Sequence, residues 1–321
     1  MPNFVRHLTC LVCCCLLAGC GKDPTAAPVA TVPATGAAVV TAGARVVSTG
    51  PALTLILTQI GATDSLVGVS SLDAELLPAE KRDLPVVGDY MTMNYEMLQR
   101  VAPTALLLQK AEDRVEPQLR AYCTEHHVEM VNARLDTVED IFATARRLGA
   151  VSGQADAAEK QIAMTRYKMD RLRQRVKGAA RPKVLYITGT NPIFVVGGER
   201  FLNDMIEAAG GDNVGATIGK DFPEVTREMI LQLKPDVILI SAPDEPVQKG
   251  DDPRIKAWAE LPMPAAADGH IYLVTDPVGL MPSLGIAESA KILAKLIHPE
   301  INFDAPLADT QAATAPAGGR P

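Results

Sequence analysis

Asn94-Tyr95-Glu96-Met97-Leu98-Gln99-Arg100-Val101-Ala102-Pro103, continued by Thr104-Ala105-Leu106-Leu107-Leu108, has a counterpart later in the chain. That counterpart is Thr226-Arg227-Glu228-Met229-Ile230-Leu231-Gln232-Leu233-Lys234-Pro235, continued by Asp236-Val237-Ile238-Leu239-Ile240. In each copy a polar residue suited to cap a helix stands two positions before a Glu, a short apolar helix runs to a Pro, and a strand of buried type follows. An aromatic residue, Tyr90 or Phe222, precedes each Glu by six positions. A unit repeated at this distance predicts two lobes of related design, and two-lobed proteins commonly bind ligands in the cleft between them.

Outward from the first copy, Arg45–Ser48 and Leu66–Val69 predict strands on either side of a helix that opens at Pro51 and carries Leu53, Ile56, Leu57 and Ile60. After the strand Ala105–Leu108, a helix running to His127 and a strand Val128–Val131 complete this lobe. Strand alternating with helix, with apolar runs fit for burial on both faces, predicts an α/β lobe around a mainly parallel sheet. From about Thr137 to Lys177 no strand signal occurs, and the charge-rich stretch Ala155–Lys177, with Ile162, Met169, Leu172 and Val176, predicts one long helix. A second α/β unit opens at Val184–Ile187, passes through Phe201–Ala209 to a helix stop at Gly210-Gly211, and includes the second copy of the repeat. The strand Ile271–Val274 and a last helix from Ile286 to His298 close it. A long helix has few free dihedrals with which to absorb a hinge, so closure on ligand binding is expected to be small.

The amino terminus has Arg6 and His7 before an apolar run from Leu8 to Leu17, about ten residues and too short to span a bilayer. It ends in Leu17-Ala18-Gly19-Cys20, which resembles the lipobox of bacterial lipoproteins and implies cleavage before Cys20 and lipid on that residue. Five of the six cysteines lie in or at the end of this segment, which leaves Cys123 as a small apolar residue and excludes an intrachain disulfide framework. The Pro-, Ala- and Thr-rich stretch up to Gly43 reads as a flexible tether, and the carboxyl end is of similar composition. The resulting organisation is a signal peptide over 1–19, a tether over 20–43, a first lobe over 44–152, a linking helix over 153–180, a second lobe over 181–303 and a disordered tail over 304–321. The formal net charge of -7, with signs interspersed, argues against nucleic acid as a partner.

Taken together, Arg45–Ser70, Gly88–Leu108, Gly189–Asn213 and Phe222–Ile240 make the chain resemble the class III periplasmic solute-binding proteins of ABC importers. The likeness runs from Arg45 to Glu300. It implies two Rossmann-like lobes joined by a single long helix, with a ligand cleft between them. It also implies that Glu96 and Glu228 dock onto arginines of the two permease subunits. A Glu in a first helical turn also complements the helix dipole, worth about 0.3–1 kcal/mol. Within the family the motifs are most similar to those of the cobalamin-binding proteins: Tyr90-Met91-Thr92-Met93-Asn94, Asn191-Pro192-Ile193-Phe194, and Phe222-Pro223-Glu224-Val225-Thr226-Arg227-Glu228. That likeness implies ligand contacts at Tyr90, Phe194, Phe222 and Asp276, although Tyr and Phe stand where Trp is common. Aromatic walls suit a large flat or propeller-shaped chelate, and core packing is the alternative for each ring. Met91, Met93 and Met281 extend the wall or fill the core.

A zinc or manganese site needs several converging ligands, and the five His (His7, His126, His127, His270 and His298) form no triad. Axial ligation of haem by Tyr90 remains an alternative. Gly197-Gly198, Gly210-Gly211 and Gly219-Lys220-Asp221 fit no nucleotide-binding pattern, and no nucleophile elbow occurs. The expectation is therefore a monomeric, lipid-anchored binding protein of the cell envelope, without catalytic residues, cofactor or resident metal. It captures a corrinoid, ferric siderophore or haem and presents it to a permease dimer.

Overall fold

The computed structural model describes residues 43–73, 76–89, 92–243, 252–276 and 281–305. The signal segment, Cys20, most of the tether, Tyr90, Met91 and the tail beyond residue 305 lie outside the described residues.

The first lobe contains β1 (Val46–Ser48), α1 (Pro51–Gln59), β2 (Leu66–Val69), α2 (Tyr95–Val101), β3 (Ala105–Leu108), α3 (Pro117–Glu125) and β4 (Glu129–Asn132). Its four strands are all parallel, in the order β2-β1-β3-β4. Two helices follow, α4 (Val138–Ser152) and α5 (Ala155–Arg175), separated at Gly153, whose φ of 76° stops the first. Thr137 and Asp140 close a capping box at the start of α4. The second lobe contains β5 (Lys183–Thr190), β6 (Ile193–Val195), α6 (Phe201–Ala208), β7 (Asp212–Asn213), α7 (Arg227–Leu233), β8 (Val237–Ser241), α8 (Pro253–Ala259), α9 (Pro264–Ala267), β9 (Ile271–Val274) and α10 (Ile286–Ile297). Here β7, β8 and β9 run parallel to the sheet, and β6 folds back antiparallel on the carboxyl half of β5.

Alternate residues of a strand point to opposite faces, and both central strands use this to build two layers of core. Ala105 and Leu107 face the same interior as Leu53, Ile141 and Ile162, whereas Leu106 and Leu108 face Leu98, Val101 and Leu119. In the second lobe Val237 and Leu239 join Ile206 and Leu293, whereas Ile238 and Ile240 join Ile230 and Trp258. The inner layers of both lobes merge into one apolar cluster through α4, α5 and α10, so the lobes share a core along one side. The repeated helices α2 and α7 lie on the outer faces, each packed against the central strand that follows it. Cys123 is buried in the outer layer of the first lobe.

Three hydrogen bonds add to this apolar connection. Gln59 Oε1 accepts Leu284 N–H at 2.8 Å, Thr165 Oγ1 donates to the Leu284 carbonyl at 2.8 Å, and Asp204 Oδ2 accepts Val138 N–H at 3.0 Å. A hinge in such a frame would have to shear a packed layer, which is bistable rather than freely deformable. Scattering with and without saturating ligand should therefore differ in radius of gyration by less than about 1 Å. A compaction of several ångström would show that the shared layer and the polar contacts across it, the Arg200–Asp136 pair among them, do not hold the lobes.

Candidate ligand and docking site

The two copies of the repeat fold alike. Asn94 Oδ1 accepts Met97 N–H at 3.0 Å, and Thr226 Oγ1 accepts Met229 N–H at 3.3 Å, so each side chain caps its helix. Each helix ends on a left-handed residue, Ala102 at φ 41° or Lys234 at φ 48°, followed by the Pro that turns the chain into the central strand. A residue before Pro is disfavoured in the right-handed helical region, so neither helix continues through it, and the two copies share an exception to the usual preference for Gly. Glu96 and Glu228 both occupy the first helical turn and are exposed. The Glu96 side chain is 87% exposed, with Arg100 at 3.6 Å one turn on. The Glu228 carboxyl is held below its usual range by the backbone N–H at the helix start and by the Thr226 hydroxyl.

Ligands of open α/β sheets bind outside the carboxyl ends of the strands, and the predicted contact residues of the second lobe lie there. Phe194 is on the strand that turns back from the end of β5, and Asp276 lies two residues beyond β9. Val195 N–H donates to the Pro223 carbonyl at 3.1 Å and Val225 N–H to the Ile193 carbonyl at 2.9 Å, with Phe194 opposite Glu224. That register puts Phe194 and Phe222 on one face of the two-stranded ladder. Phe194 is only 9% exposed, its ring so near the Gly189 backbone that an added Cβ would come within 3.2 Å of it. Phe222 is half-buried, with the Arg200 guanidinium 4.9 Å from its ring centre.

Asp276 is half-buried and accepts the Ser289 hydroxyl at 3.2 Å. Its charge, after burial itself, raises the pKa of the enclosed Tyr186 phenol. In the first lobe the chain at 86–88 runs beside the carboxyl end of β2, where Val87 N–H bonds the Val69 carbonyl and Ser71 N–H bonds Gly88. Gly88 has φ 137° and pairs with Met93, while Thr92 N–H donates to Asp89 Oδ1 at 2.6 Å. Tyr90 and Met91 come next in the sequence and lie outside the described residues. Met93 packs into the outer core of the first lobe. A cavity of about 530 Å³ between α5 and α6 is lined by Glu139, Arg173, Lys177 and Asp204 and has no aromatic wall, so it is distinct from this site. Among the described residues no three His, Cys, Asp or Glu side chains are placed to hold a metal ion.

Sequence reasoning did not find Arg200 and Asp136, which join the lobes through an ion pair, nor the buried Asp73. No local pattern marks either, because the pair is 64 positions apart and Asp73 is recognisable only from its burial.

Two α/β lobes on a shared helical layer, with aromatic and acidic side chains at the strand ends, define a two-lobed solute-binding protein. The family model for periplasmic binding protein matches residues 46–278, and the chain belongs to that family. Its members bind and hand over a transported ligand, are not enzymes, and do not carry a cofactor. Among curated relatives, the vitamin B12-binding protein of Photorhabdus laumondii subsp. laumondii is 27% identical over 207 residues, covering 64% of this chain and 73% of that protein. The vitamin B12-binding protein of Yersinia pestis (strain Pestoides F) is 25% identical over 208 residues, covering 62% and 70%. The same fold occurs in the periplasmic vitamin B12-binding protein of Vibrio cholerae, with TM-score 0.65 and 19% identity over 80% of this chain and 97% of that one. It also occurs in the periplasmic haem-binding protein of Vibrio cholerae, with TM-score 0.68 and 20% identity over 79% and 99%.

Proposed function

We propose that this chain is a lipid-anchored substrate-binding protein of an ABC importer, which captures a bulky metal chelate of the corrinoid or ferric siderophore class and delivers it to a permease dimer. The observation that carries this reading is the duplicated capped turn, which presents Glu96 and Glu228 as exposed carboxylates in equivalent places on two lobes. The sequence relatives named as vitamin B12-binding proteins support the corrinoid as the first ligand to test. In this reading lipid on Cys20 holds the protein outside the cytoplasmic membrane, and residues 20–43 let a monomer reach the permease. Tyr90, Phe222 and the exposed edge of Phe194 form the wall against which the ligand buries apolar area, and Asp276 orients a polar group. Capture requires no bond making. Glu96 and Glu228 lie outside the wall and act by steering and orienting the docked complex.

Titration calorimetry of cyanocobalamin against the wild type, Tyr90→Ala and Phe222→Ala tests the wall. Truncating an aromatic anchor is expected to weaken binding about tenfold to a hundredfold with the unfolding transition kept. Wild-type affinity in either variant removes that residue from the site. An absorbance and mass spectrum of protein purified from its own host identifies the chelate directly, because corrinoids, ferric siderophores and haem are all coloured.

A further inference from the structure

Arg200 is the amino-terminal cap residue of α6, and its side chain reaches out of its own lobe. Nη1 donates to Asp136 Oδ1, in the turn between β4 and α4, and Nη2 donates to Asp221 Oδ1 at 2.7 Å in the second lobe. The guanidinium carbon lies over the Phe222 ring, 4.9 Å from its centre, and the Asp136 carbonyl accepts the N–H of Phe201, the next residue. The side chain is 21% exposed, and Nε is buried with no hydrogen-bond partner among the described residues. A buried donor left unbonded is unfavourable, so solvation of the guanidinium does not select this pose. The pose is the one in which two terminal nitrogens reach carboxylates of different lobes while the guanidinium carbon sits over the ring. The segment bearing Asp221 and Phe222 is itself held close, since Gly197 N–H donates to the Asp221 carbonyl at 2.7 Å and a Cβ at Gly197 would collide with that oxygen.

We propose that Arg200 is a positioning residue that ties the pose of Phe222, and through it ligand recognition, to the separation of the two lobes. The ligand half of this inference rests on the reading of Phe222 as part of the ligand wall. If the lobes part, Asp136 withdraws, the guanidinium keeps only Asp221, and the cation over Phe222 loses one of its two fixed points. Closing to the observed separation restores both. A Lys at this position can answer one carboxylate as a point charge but offers no plane to the ring.

The test uses the full chain, cyanocobalamin as probe in titration calorimetry, and small-angle scattering of the unliganded protein. Arg200→Ala is expected to weaken binding about tenfold and to broaden the distribution of lobe separations. Arg200→Lys should keep the scattering curve of the wild type yet bind as weakly as Arg200→Ala, and it serves alone if Arg200→Ala fails to fold. Asp136→Asn should loosen the lobes and weaken binding. In a double-mutant cycle, Arg200→Ala added to Phe222→Ala should cost no further affinity, which a general structural role would not produce. Wild-type affinity in Arg200→Lys, or losses that multiply in the double variant, would overturn the proposal. If the wild type binds neither cyanocobalamin nor haemin, the fault lies with the ligand reading. Scattering then decides: curves for Arg200→Ala and Asp136→Asn identical to the wild type overturn the coupling, and broadened ones uphold it.

Discussion

A chain carrying both Glu96→Ala and Glu228→Ala is expected to bind its chelate with unchanged affinity and to deliver it at a rate at least about tenfold lower, since interface charges set orientation and encounter more than binding. The fold has little stake in either carboxylate. Glu96 is 87% exposed, and its ion pair to Arg100 at 3.6 Å is of a kind that contributes about 0.3–0.5 kcal/mol at most. Glu228 is fully exposed, and the Thr226 hydroxyl and the helix start that hold its carboxyl ionised survive its removal as a cap. Each variant alone should reduce transport less than the pair, because each Glu belongs to a different lobe and leaves the other dock in place. Uptake by proteoliposomes containing the permease, measured beside calorimetric affinity and a thermal unfolding curve, checks this. Wild-type uptake by the double variant would leave both residues only their local role at the helix ends.

The parts of the site that were legible in the sequence are those written in local chemistry. Asn94 and Thr226 are cap residues by type, Pro103 and Pro235 end the helices they follow, and the runs Ala105–Leu108 and Val237–Ile240 suit strands buried on both faces. The fold class therefore follows from short windows repeated in order. Other features depend on partners far along the chain. The hairpin that brings β6 onto β5 is zipped by residues 223–225, so the stretch around Phe194 reads as a loop until that segment is placed beside it. The merging of both inner cores through α4, α5 and α10 is likewise a matter of packing. Asp136 and Arg200 are ordinary surface types whose pairing across the lobes no periodicity announces.

Asp73 carries the other large expected effect, and its sign is opposite to that of most substitutions of buried polar residues. The side chain is fully enclosed, with Oδ2 accepting Ser70 N–H at 2.9 Å and Oδ1 without a hydrogen-bond partner among the described residues. The Thr54 hydroxyl lies near enough to ease the charge slightly but closes no hydrogen bond of good geometry. Desolvation is the largest influence, and it pushes the carboxyl from 3.8 up to about 6. Because the folded value lies above the unfolded one, the folded chain binds the extra proton between them. The stability this brings is present in full below the unfolded value and is lost as pH rises through about 6. At neutral pH the buried carboxylate thus costs about 2–3 kcal/mol.

Asp73→Asn keeps an acceptor for Ser70 N–H, places an amide near the Thr54 hydroxyl, and removes the charge. It should raise stability at pH 7.5 by roughly that 2–3 kcal/mol and flatten the decline seen in the wild type between about pH 4 and 6. Urea unfolding across that range measures both. An unchanged decline, or lower stability at pH 7.5, would show that another group titrates. The same turn hydrogen-bonds through Ser71 N–H to the Gly88 carbonyl, two residues before Tyr90 in the sequence. The cost of this charge makes ligand affinity a second readout: if burial of Asp73 shapes the segment at Gly88, Asp73→Asn gains stability and loses affinity together.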